Sequence, residues 1–124
     1  MRTQKNTPAV LLYQLPEFSM QGRAVRTWLA ERGIRAVSVG PDDSGKTIST
    51  LLGLKREADG PKRPLPGEPM VVLYGLVGPT FDDFLTLLDG TGRIALKAAA
   101  TPYNLHWTFG KLAEQLQDER QRIG

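Results

Sequence analysis

Two short stretches collect the residue types that chemistry uses. The first is Gly40-Pro-Asp-Asp-Ser-Gly45-Lys46-Thr47, which satisfies G-x-x-x-x-G-K-[ST] between a strand-like run and a helix-like one. In a nucleotide-binding protein this pattern wraps backbone N–H groups around phosphate, sets the lysine against its charge and gives the threonine to magnesium. Three features oppose that chemistry here. Pro41 has no amide hydrogen to offer. Asp42 and Asp43 put negative charge into a loop that must attract phosphate. No apolar strand ends in an aspartate that would complete a magnesium site. The same residues also read as a strand-to-helix turn with Asp43 or Ser44 as N-cap. Gly45, Lys46 and Thr47 are therefore phosphate-binding residues in an alternative reading only.

The second stretch is Lys97-Ala-Ala-Ala-Thr101-Pro102-Tyr103-Asn104-Leu-His106-Trp107. It packs an amine, a hydroxyl, an amide, an imidazole and an indole around one strand-to-helix junction, where α/β proteins place ligands. Lys97, Thr101, Asn104, His106 and Trp107 are the candidates for binding a ligand or partner. A structural role competes with that one. Thr101-Pro102 makes a good helix start, Asn104 can hydrogen-bond the turn, and Trp107 can close a core.

Little else suggests a reaction. His106 is the single histidine and cysteine is absent, which removes disulfides, thiolate chemistry and cysteine metal sites. No G-x-S-x-G elbow accompanies the histidine. Asp82-Asp83 and Glu114/Asp118 have the spacing of solvated helix faces. No catalytic residues, metal or cofactor are expected. The net charge of +3 permits an anionic partner without demanding one. Lys55, Arg56, Lys62 and Arg63 cluster in one segment, with Arg23, Arg26 and Arg35 around an early helix. No aromatic platform is interleaved with them, so nucleic acid is not the favoured partner. The longest apolar run is too short to cross a bilayer and the opening MRTQKNTP is polar, which together indicate a cytoplasmic protein without a leader.

The elements that must carry these stretches are legible from periodicity. VLLYQL at 10–15 and VVLYGL at 71–76 match at an interval of 61 residues, and the interval carries Pro41 onto Pro102, Thr47 onto Thr108 and Leu51 onto Leu112. Both runs read as buried strands. A helix over 19–31 is predicted, capped by Ser19, stopped at Gly33, burying Ala24, Val25, Trp28 and Leu29 and leaving Arg23, Arg26 and Arg32 in solvent. A second, capped by Thr80, shows Phe81, Phe84, Leu85 and Leu88 at helical spacing. Second strands follow at 36–39 and 94–98. A final helix carries Leu105, Phe109, Leu112, Ala113 and Leu116, and its tail QDERQRIG is expected to fray. Residues 55–69 hold four prolines and no periodicity, and read as a linker. The expectation is one α/β domain over 1–124, with two βαβα halves (9–54 and 70–116) forming a single four-stranded sheet with helices packed on it.

These segments resemble the bacterial domain-of-unknown-function family numbered 3783. The resemblance rests on the L-L-Y strand, on T-I-S-T-L-L-G-L at 47–54, on E-P-M-V-V-L-Y-G-L at 68–76, and above all on K-A-A-A-T-P-Y-N-L-H-W at 97–107, similar to the signature K-A-x-x-T-P-x-N-x-x-W. It covers roughly residues 9–118. It implies a small α/β protein without an assigned activity, and it draws attention to Lys97, Thr101, Asn104 and Trp107. The functional expectation is a non-enzymatic binding or regulatory domain for an unidentified protein or small ligand, able to form a homodimer through open sheet edges. A nucleotide-binding protein using 40–47 is the alternative, and a nucleic-acid accessory protein a further one.

Overall fold

The structure, a computed structural model, describes residues 7–123. Runs of aliphatic residues buried on both faces build the middle of a sheet. β1 (Ala9–Tyr13) is buried throughout, and β3 (Met70–Tyr74) is buried except at half-buried Tyr74. The two pair antiparallel, with Leu11 opposite Val72. β2 (Arg35–Val39) lies parallel to β1, and β4 (Leu96–Ala99) lies parallel to β3. The strand order is β2-β1-β3-β4. More polar residues stand on the outer strands, Arg35 and Ser38 on one and Lys97 on the other, as suits edges.

Side chains alternate across this sheet and feed two cores. Val10, Leu12, Val71 and Leu73 pack with Val25 and Leu29 of α1 (Met20–Glu31) and with Phe84 and Leu88 of α3 (Gly78–Thr91). Leu11, Tyr13, Met70 and Val72 pack on the opposite face. There they meet Ile48 and Leu52 of α2 (Ile48–Leu52), and Phe109 and Leu112 of α4 (Phe109–Ile123). One aromatic pair anchors each layer: Trp28–Phe84 at 5.3 Å and Tyr13–Phe109 at 5.9 Å between ring centres. The α/β class and the four-stranded sheet are thus as the sequence indicates. The sheet is mixed, with parallel outer pairs joined antiparallel at the centre.

Several boundaries differ from the sequence reading. Ser19 does cap α1, its hydroxyl accepting from Gly22 N–H at 2.9 Å. Thr80 does not cap α3: the helix starts earlier, after Val77, because Pro79 presets the first-turn geometry. β4 begins at Leu96 rather than Ile94. Leu105 lies in turns ahead of α4 and reaches the core from there. The expected fraying of 117–124 is not seen within the described residues, since α4 continues through Ile123 and Arg120 pairs with Glu68. Residues 1–6, most of the polar opening read as the absence of a leader, lie outside the described residues.

Residues 55–69 have no helix or strand, as expected of a linker. They are nevertheless fastened along their length. Glu57 N–H donates to Thr50 Oγ1, Gly60 N–H to the Gly45 carbonyl, and Arg63 N–H to Ser44 Oγ. Tyr13 donates its hydroxyl to the Pro66 carbonyl, and Arg63 pairs with Glu114. The segment is a strap over the α2/α4 layer.

Candidate functional site

The loops that the sequence singled out, 40–47 and 101–107, meet in space. Thr47 and Thr108 form an antiparallel bridge. Across it, Ile48 N–H donates to the Trp107 carbonyl at 2.9 Å and Phe109 N–H to the Lys46 carbonyl at 2.8 Å. Ser49 N–H reaches the Leu105 carbonyl at 2.8 Å, and Gly110 N–H reaches that of Ser44 at 2.9 Å. Inside the loops, Asp43 Oδ2 accepts from Gly40 N–H and Asn104 Oδ1 from Thr101 N–H, at 2.8 and 2.9 Å. Thr47 Oγ1 accepts from Thr50 N–H, and Thr108 Oγ1 from Lys111 N–H, both at 3.1 Å. Every one of these bonds has its counterpart 61 positions along.

This pairing employs the groups that a phosphate would need. The N–H groups of Gly40, Asp43, Lys46 and Ile48 all donate to protein oxygens. Gly45 lies against the strap so closely that a β-carbon would sit 2.5 Å from the Gly60 carbonyl oxygen. Lys46 Nζ stands 3.5 Å from Asp43, and Thr47 is buried as the cap of α2. The cap is therefore Thr47, not Asp43 or Ser44, because Asp43 turns back on Gly40 and Ser44 holds the strap.

The second constellation is dispersed. Lys97 stands on β4 between Leu96 and Ala98, which face α4, so its side chain leaves by the other face and its Nζ donates to the Ile94 carbonyl at 2.6 Å. Thr101 starts a turn rather than a helix, its Oγ1 accepting from Tyr103 N–H. Asn104 is consumed inside the loop, for its Nδ2 also donates to the Ala99 carbonyl at 3.0 Å. Trp107 is half-buried on the core, with Lys111 Nζ 4.4 Å from its ring centre. Exposed His106 places Nδ1 2.6 Å from Glu57 Oε2 of the strap. The Thr47 hydroxyl first, and His106 second, hold the Glu57 carboxyl below the usual carboxylate range.

A feature that the sequence reading missed lies at the carboxyl ends of β1 and β2. These parallel strands point the same way, but the chain leaves β1 for α1 on one face and β2 for α2 on the other. Such a divergence opens a crevice. The cleft has a volume of about 340 Å³, and Gln14, Leu15, Arg26, Ser38 and Val39 are among its walls. Gln14 holds a left-handed backbone at φ +59°, a strained conformation for a residue with a β-carbon. The residue 61 positions on is Gly75, at φ +79°. Arg26 was expected in solvent with Arg23 and Arg32. Instead its Nε and Nη2 both donate to the Leu15 carbonyl, at 3.1 and 3.0 Å, and Nη2 also to Ser38 Oγ at 2.8 Å. Arg32 lies over the Trp28 ring, 3.9 Å from its centre.

Among the described residues, no carboxylate forms an ion pair with Arg26. No group of three or more His, Asp or Glu is placed among them to hold a metal ion, and no helix is long and apolar enough to cross a membrane. No family model, curated protein or solved structure matches the chain.

Proposed function

We propose that this chain is a non-enzymatic binding domain that seats a small phosphate- or carboxylate-bearing ligand at the carboxyl ends of β1 and β2. One observation carries the reading: a guanidinium without a carboxylate partner is fixed in the wall of a cleft of small-molecule size. Anchoring through Nε and Nη2 orients the group before any ligand arrives and leaves Nη1 as a donor for an anion. The two βαβα halves fit this reading as copies of one ancestral unit. At the carboxyl end of its first strand the first half has left-handed Gln14 and Arg26 where the second has Gly75 and Leu87.

Thermal shift and calorimetry against a panel of phosphate- and carboxylate-bearing metabolites test the proposal. A true ligand at 100 times its dissociation constant adds about 2.7 kcal/mol to stability. Ser38→Glu sets a carboxylate against Arg26 from an exposed strand end, and the expected result is that this variant folds and loses the shift. A panel without effect, or a shift that Ser38→Glu leaves unchanged, overturns the reading.

A further inference from the structure

Away from the cleft, the two helices of one layer carry opposite charge. α1 presents Arg23 and is followed by Arg32, whereas α3 presents Asp82, Asp83 and Asp89 and contains neither lysine nor arginine. Arg23 and these three aspartates are exposed, and none forms an ion pair among the described residues. Between the helices runs a groove of about 420 Å³, whose lining includes Met20, Arg23, Thr27, Trp28 and Leu87, with Glu31 at the far end of α1. Met20 is 88% exposed at its end, an unusual position for a large apolar side chain.

We infer that this helical layer is the contact surface for a second copy of the chain. The basic and acidic helices lie side by side, since Trp28 of α1 meets Phe84 of α3. They run antiparallel, as each returns against one of the antiparallel strands β1 and β3. A two-fold axis along the helices therefore lays α1 of each copy on α3 of the other. Because α1 and α3 are antiparallel, with Gln21 beside Gly92, Arg23 is level with the end of α3 and faces Asp89 twice over, and Met20 enters the groove of the opposite copy. An isologous interface needs such self-complementarity, and a single surface bearing both signs in adjacent stripes supplies it. The small residues Ala24 and Thr27 let the backbones approach. The edge strands take no part, and the inference is independent of the ligand cleft.

Sedimentation velocity over a range of protein and salt concentrations tests it. A dimer is expected at low salt, weakening towards 1 M salt, where the screening length falls to about 3 Å. Arg23→Glu and Met20→Glu alter exposed side chains and should leave the circular dichroism unchanged while raising the dimer dissociation constant about tenfold or more. Adding Asp89→Arg to Arg23→Glu should restore the dimer. A chain that stays monomeric at low salt, a dimer indifferent to both single variants, as one formed through the β4 edge would be, or a charge reversal that fails to restore association each overturns the inference.

Discussion

Asn104 uses both ends of its side-chain amide inside its own loop, accepting from Thr101 N–H and donating to the Ala99 carbonyl. Asn104→Ala removes both bonds, of which the one to Ala99 is open to water, so a loss of about 1 kcal/mol is expected in urea unfolding. Asn104→Asp keeps the acceptor and should lose about half of that. A native-like midpoint for the alanine variant would return Asn104 to the list of binding candidates. The sequence offered Lys97, Thr101, Asn104, His106 and Trp107 as one constellation because they are close along the chain. Thr101 and Asn104 do meet, but strand alternation and turn geometry part the others: Lys97 sits one residue from Leu96 yet on the opposite face. The G-x-x-x-x-G-K-T pattern has a related origin. Asp43 and Thr47 do in the first loop what Asn104 and Thr108 do in the second, and the two look alike only when the loops are aligned at 61 residues.

At the scale of elements, periodicity identified every strand and the three longer helices, since burial imposes it. Caps and connections were harder. The start of α3 depended on Pro79 and the cap of α2 on which hydroxyl turns inwards, both matters of local geometry that composition does not settle. The strap read as a linker because its prolines and charges lack a period, while its fastenings reach residues from 7 to 53 positions away. Its Glu57 carboxyl sits below the usual carboxylate range, so folding favours the ionised form. The stability contributed in this way is complete above the usual value near 4.5 and is lost as pH falls through the folded value beneath it. Glu68, lowered by Arg120, adds to the same trend. Melting temperature should therefore decline below about pH 4.5, and Glu57→Gln should flatten part of that decline. Identical acid profiles for the two proteins would show that the Glu57 carboxylate contributes nothing.

For the whole molecule, the class and the single four-stranded sheet followed from strands alternating with helices. The strand order did not, because pairing 9–13 with 70–74 is a long-range choice that no local pattern records. That central pairing, together with the bridge between Thr47 and Thr108, holds the chain on either side of the strap by non-covalent contacts alone. Ala58 and Asp59 are exposed within the strap, and among the described residues no hydrogen bond or ion pair fastens them to either core. Cutting the chain between them should leave a folded, co-migrating complex of two fragments, with melting lowered and made concentration-dependent. Aggregation of either fragment on cleavage would show the connection to be essential. If the cut is tolerated, the polypeptide's continuity at its midpoint serves to keep two pieces at high effective concentration rather than to define their shape. The same architecture could then be split between two genes and still assemble.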